Sequence, residues 1–245
     1  MPHHLDYPAA VRRDGFALAE AAEAAGPSAP VAGCPGWDVA ELVWHITEVH
    51  YFWAEIVAGG LQDPEMVLPL ERPLGFAALL ARCRAGVERL AAVLAAADPA
   101  APVWTWARQK DAGFVIRHQA QEAAVHRWDA EQAAGRAFTI EPELAADSID
   151  ELLGLYPSTW RRDGAEPVAG TVHLCATDGS GEWTVAEDDA GDLVVERGHG
   201  RGDAAARGTA SDLLLLLYRR LEPGAVETLG DAAVLGRFLA RPDLG

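Results

Sequence analysis

Arg117-His118-Gln119-Ala120-Gln121-Glu122-Ala123-Ala124-Val125-His126-Arg127-Trp128-Asp129, residues 117–129, is the stretch on which the reading of this chain turns. It lies inside a helix predicted from about Gly113 to about Ala134, with Gly135 as the stop. Glu122 and His126 are four residues apart, which on an α-helix is about 40° around the axis and about 6 Å along it. Both side chains therefore reach the same side. A carboxylate and an imidazole so placed form a chelating pair for a borderline divalent cation such as zinc. Asp129, three residues beyond His126, is placed either to accept the free N–H of His126 or to reach the ion itself. His118, four before Glu122, extends the row as a further candidate ligand.

Working outward, Asp38 with Glu41 three residues later is a capping box ahead of an apolar run. It predicts a helix from about Val39 to about Ala58, ending at Gly59-Gly60. His45 on that helix shares a stripe with Leu42, Val49, Phe52 and Ile56, the face expected to turn into the core, where an imidazole needs a partner. His50 is about 140° further round and is read as a surface or rim residue. Two more helices, Pro8–Ala25 and Gly75–Ala97, end at Gly26-Pro27 and before Pro99. Four helices with loops between them predict a four-helix bundle, whose interior is where facing helices assemble metal sites. His45, Glu122 and His126 would then be three protein ligands, leaving a tetrahedral ion one open position, as catalytic sites do. Plainer readings stand beside this one: a core histidine bonded to a neighbour, and an ordinary helical pair at four-residue spacing. Cys34, in the loop before the second helix, is read as a packed thiol. Trp104 and Trp106 are read as core residues that can also form one wall of a pocket.

A further helix is predicted around Asp147–Tyr156, then a turn-rich stretch, Pro157–Gly170. Gly170–Ala176, Glu182–Glu187 and Asp192–Arg197 are short, alternating and separated by Asp/Gly turns, which predicts a strand meander. Thr209 and Asp212 open an apolar helix through Leu221, and a last helix covers about Gly230–Ala240. The fold class expected is mainly α, a four-helix bundle over residues 1–158 followed by a small α+β domain over 159–245.

The chain has 245 residues, 37 acidic against 20 basic, and a net charge of -17. So acidic a surface repels phosphate backbones and anionic lipid, and no basic patch offsets it, which excludes nucleic acid and membrane as partners. Three widely spaced cysteines, Cys34, Cys83 and Cys175, form no CxxC pair, so neither a disulfide framework nor a cysteine zinc site is expected. Met1–Tyr7 lacks the pattern of a secretory signal, and the longest strongly apolar run, Leu213–Tyr218, is far short of a membrane span. A cytoplasmic location is expected. Lys110 is the lone lysine in an alanine-rich chain, a composition typical of a GC-rich genome.

Gly33-Cys34-Pro35-Gly36-Trp37-Asp38-Val39, followed by Leu42-Val43-Trp44-His45, resembles the approach to the second helix in the mycothiol-dependent maleylpyruvate isomerase family. Arg117 through Glu131 resembles that family's metal-binding segment. The resemblance implies a DinB-like four-helix bundle followed by a small sterol-carrier-like domain. It implies a divalent metal, usually zinc, held by His45, Glu122 and His126. It also implies mycothiol, a low-molecular-weight thiol, as co-substrate, and an actinobacterial source. A small electrophile would be attacked by the zinc-activated thiolate, either isomerising as maleylpyruvate does or retaining the sulfur in an S-transfer. Arg117 and Arg220 are the cations expected to meet an anionic substrate. The residue before the ligand glutamate, often histidine in the family, is Gln121 here; it points about 100° away from Glu122, so no ligand is lost. Two other classes stay open: a non-catalytic, metal-stabilised binder of a small ligand or lipid, and a hydrolase using zinc-bound hydroxide. A monomer or a homodimer fits equally.

Overall fold

The computed structural model describes residues 5–155, 164–179, 181–188 and 191–242. The Asp6 carboxylate accepts from Ala9 N at 3.0 Å and opens α1 (Tyr7–Ala25). Asp38 does the same for Glu41 N at 2.9 Å and opens α2 (Val39–Gly59), which closes on Gly60 in the left-handed conformation, φ 59°. α3 (Phe76–Ala96) starts after Gly75, and α4 (Ala112–Ala133) is capped by Asp111 on Phe114 N at 3.1 Å. The helices expected from capping and breaker residues are therefore present, within a residue or two at each end.

α1 packs against α3 and α4, and α2 also packs against α3 and α4, so the four form the expected bundle. Its core is built from Leu18 and Ala22 of α1, Leu42, Val43 and Ile46 of α2, Leu80, Cys83 and Val87 of α3, and Ala130 of α4. α1 and α3 approach closely at Gly15, where a Cβ would lie 2.7 Å from Val87 Cγ2. α4 is buried almost all round, and its alanines let the neighbouring helices close in while its polar residues sit inside.

The chain divides into two units between Phe138 and Thr139, ahead of the 158/159 division expected from the sequence. The reason is α5 (Pro142–Leu155), whose buried row of Leu144, Ile149 and Leu152 packs within the second unit, against α6 and β3. Part of the expected turn-rich stretch, residues 157–163, lies outside the described residues, as does Tyr156. The second unit holds β1 (Val172–Ala176), β2 (Glu182–Glu187) and β3 (Leu193–Arg197), the expected meander. β4 (Ala204–Gly208), α6 (Ala210–Leu217), β5 (Glu227–Gly230) and α7 (Ala232–Ala240) follow. The sheet order is β3-β2-β1-β4-β5, with β1 and β4 parallel and the other pairs antiparallel. β4 and β5 were not expected. β4 is Ala-Ala-Ala-Arg-Gly, with no β-forming side chains; pairing with β1 and burial of Ala204 and Ala206 make it a strand. α5 is tied to the sheet by Trp183, fully buried, whose Nε1 donates to Asp150 Oδ1 at 2.7 Å.

Candidate metal centre

The capping turn at Asp38 and the helix it starts place His45 opposite α4. There His45 Nε2 lies 3.2 Å from Glu122 Oε1, and His126 Nε2 lies 3.3 Å from the same oxygen. The two imidazole centroids are 5.1 Å apart and edge-on. Trp37, from the loop before α2, covers one side, 4.9 Å from the His45 ring and 6.5 Å from that of His126. His45 and Glu122 are half-buried and His126 is buried, so the group sits in a recess reachable from solvent.

Behind this group, His126 Nδ1 lies 2.9 Å from Asp129 Oδ2, and the Cys34 thiol donates to the same oxygen at 3.6 Å. Asp129 is 1% exposed. The arrangement sets the chemistry of His126. With Nδ1–H donated to Asp129, a neutral ring turns its Nε2 lone pair toward the Glu122 carboxylate. Two lone pairs then face one another unless a cation lies between them. In the metal-free protein a proton fills that role. Burial opposes charge on the His126 ring, but the Glu122 charge, with hydrogen bonds to Asp129, Cys34 and Glu122, outweighs it and holds its pKa well above the usual range. Burial likewise opposes charge on Glu122, yet His126 and the hydrogen bonds from both imidazoles hold its carboxyl well below the usual range. The donor set of two imidazoles and a carboxylate fits a divalent cation of zinc type, with His126 oriented from behind by a carboxylate.

Two donor groups occur here among the described residues, His45/Glu122/His126 and Cys34/His126/Asp129, each with its ligand atoms within 4.8 Å of one another. His126 belongs to both, through Nε2 and Nδ1 respectively. His118 belongs to neither: its ring stacks on Phe114 at 5.3 Å and meets Trp106 edge-on at 5.3 Å. Trp104, half-buried, stacks on Trp53 with ring centroids 6.0 Å apart. Arg117 is half-buried on α4, while Arg220, after α6, lies over the Tyr218 ring at 5.6 Å.

His50 is a correction. Expected at the surface, it is fully buried, and neither of its ring nitrogens has a hydrogen-bond partner. It falls in the row of Ile46 and Trp53, the true inward stripe of α2, whereas His45 lies at the edge of that stripe and keeps 34% of its side chain exposed. Gln119 on α4 is also fully buried with both side-chain polar atoms unpartnered.

Residues 9–131 match the mycothiol maleylpyruvate isomerase N-terminal domain, and residues 143–237 match the MDMPI C-terminal domain. The chain belongs to the mycothiol maleylpyruvate isomerase family. A crystal structure of the mycothiol-dependent maleylpyruvate isomerase is similar with a TM-score of 0.61 at 14% identity, covering 91% of this chain and 91% of that one. A crystal structure of a single-residue mutant of that enzyme gives the same values. At this identity the likeness establishes the shared fold, a mainly α chain with a small α+β domain. No curated protein matches. Among the described residues no helix is long and apolar enough to cross a membrane.

Proposed function

We propose that this member of the family is a metal-dependent enzyme that uses mycothiol to isomerise a maleylpyruvate-type substrate. The observation that carries this reading is the convergence of His45 Nε2 and His126 Nε2 on Glu122 Oε1, at 3.2 and 3.3 Å, in a recess open on one side. His45, Glu122 and His126 hold the ion, zinc by preference for this donor set. When bound there, the cation supplies the Lewis acidity that keeps a coordinated thiol in its nucleophilic thiolate form near neutral pH.

The protein's own side chains do the rest. Asp129 fixes the tautomer and orientation of His126, and Glu122 offsets charge at the centre. Trp37 shields one flank from water. Arg117, on the helix that carries Glu122 and His126, is assigned to a substrate carboxylate, which needs a cationic partner in a chain of net charge -17. The sulfur adds to the activated cis double bond, the resulting single bond rotates, and elimination of the thiol returns the trans product. S-transfer would be the outcome for an electrophile from which elimination cannot occur.

The test is turnover of maleylpyruvate by metal-loaded protein, followed by chromatography with and without mycothiol. The reading predicts a trans product only when the thiol is present. Turnover independent of thiol would replace it with a zinc-hydroxide hydrolase. Thermal stabilisation by mycothiol without turnover of any electrophile would replace it with a ligand-binding protein.

A further inference from the structure

The second unit carries its own cluster of donor groups, remote in sequence from the bundle's. In β1 and β2, His173 pairs opposite Thr184 and Cys175 opposite Glu182. Alternation along the strands puts His173, Cys175 and Glu182 on one face of the sheet, and Val172, Leu174 and Trp183 on the other. The segment after β3, Gly198-His199-Gly200-Arg201-Gly202, crosses the first face. It passes so close that a Cβ on Gly202 would lie 2.7 Å from His173 N, and one on Gly200 would strike Thr184 Oγ1. Glycine at both positions therefore lays His199 against Glu182.

The side chains converge on one carboxylate. His199 Nδ1 lies 3.1 Å from Glu182 Oε2, and His173 Nε2 lies 3.5 Å from the same oxygen. Cys175 Sγ is 3.8 Å from Glu182 Oε1. His173 is 9% exposed, and its Nε2 makes no hydrogen bond, its approach to Glu182 lacking the angle for one. A buried ring nitrogen aimed at a carboxylate without bonding it is a donor without a partner. A groove of about 430 Å³, lined by Glu182, His199, Arg197, Gly179, Gly181 and Gly198, opens beside the cluster. The His199 side chain is 88% exposed, so its ring is free to turn about Cβ toward an ion entering by that groove.

We propose that His173, Glu182 and His199, with Cys175 as fourth donor, form a second divalent-cation site of zinc type. Two imidazoles, a carboxylate and a thiolate are the donor types of a complete tetrahedral set. As the side chains stand, their donor atoms do not all lie within 4.8 Å of one another, and Cys175 bonds Arg207. Binding therefore requires the His199 ring to turn inward and Cys175 to exchange Arg207 for the ion. Such a site leaves no open position, so its role is structural: it clamps the Gly198–Gly202 segment to the sheet. On binding, Cys175 releases its proton to solvent as the sulfur joins the ion. This site is independent of the function proposed for the bundle.

The experiment uses the full chain, stripped with chelator and titrated with Co²⁺, followed by equilibrium dialysis and absorbance. His45→Ala disables the bundle centre, and His199→Ala, at an exposed side chain, disables the second without threatening the fold. Two ions per chain are expected, with one in either variant and none in the double variant. His45→Ala should keep a sulfur-to-cobalt charge-transfer absorption that Cys175→Ser removes. Co²⁺ should also raise the melting temperature of His45→Ala, because an ion that binds only the folded form stabilises it. A single ion that survives in His199→Ala and is lost in His45→Ala would overturn the proposal. So would undiminished Co²⁺ binding by His199→Ala. A single ion lost in His199→Ala but kept in His45→Ala would sink the bundle centre and leave this site standing.

Discussion

Asp129→Asn probes how the centre is built. The substituted side chain has the same shape, so no cavity opens at a position that is 1% exposed. What changes is the group 2.9 Å from His126 Nδ1. If the new amide presents its oxygen, His126 keeps its tautomer but loses the negative charge behind the ring. If it presents its nitrogen, donor faces donor, and the ring must carry its proton on Nε2, the atom that should hold the metal. Cys34 loses its carboxylate acceptor in either case. Loss of such an outer partner weakens metal binding by about 10- to 100-fold, which is about 1.4–3 kcal/mol. The assay is competition for Zn²⁺ against a chromogenic chelator, run on a His199→Ala background so that one centre is observed. His126→Ala should cost more than Asp129→Asn, because it removes the ligand itself. Unchanged Zn²⁺ affinity in Asp129→Asn would refute the claim that the carboxylate orients a metal-bound imidazole.

Three further outcomes follow from packing and charge. Burial, reinforced by His126 and His45 and only partly opposed by Glu122, pushes the His50 imidazole down from 6.5 to about 4. The unfolded chain then takes up a proton that the folded one refuses, so stability is full above pH 6.5 and falls as pH drops toward 4, by on the order of 3 kcal/mol. His50→Leu should flatten that part of the urea-unfolding profile of chelator-treated protein and leave stability at neutral pH no lower; an unaltered acid slope would contradict this. Asp150→Ala strands the buried Trp183 N–H and should lower the stability of the second unit by about 1–3 kcal/mol, read by thermal melting, with an unshifted melt as the contrary result. Gly15→Ala drives a methyl against Val87 at a cost of about 1–3 kcal/mol. Val87→Ala in the same chain should recover most of that loss, and failure to do so would mean the strain lies elsewhere.

The bundle was legible because its signals are local. Asp38 and the glycines at 59–60 and 135 mark helix ends by chemistry that needs no tertiary context. The Glu122/His126 pair was legible for the same reason, since four-residue spacing fixes a shared face. What the sequence could not say was where each face points. The row of Leu42 and Ile56 suggested that His45 was core, yet it lies at the rim, and the inward position belongs to His50. A helix with apolar residues on most sides, as α2 has, gives no sharp stripe from which to judge this. β4 was invisible because alanine carries no strand preference; its identity comes from pairing with β1 across the 27 residues that intervene between Ala176 and Ala204. β5 is fully exposed along its length, so no burial pattern announced it. The placement of α5 depends on what it packs against, which spacing cannot supply. The family resemblance rested on short motifs around Cys34–His45 and Arg117–Glu131, and the two domain matches now span 9–131 and 143–237.

The central claim is that His45, Glu122 and His126 hold a cation with one position left for sulfur. Its most direct test is the absorption spectrum of the Co²⁺-loaded His199→Ala protein during titration with mycothiol. The account predicts a sulfur-to-cobalt charge-transfer band that grows to saturation at one thiol per chain and never forms in a chain that also carries His126→Ala. A spectrum that mycothiol leaves unmoved, or a band that persists without His126, would contradict it.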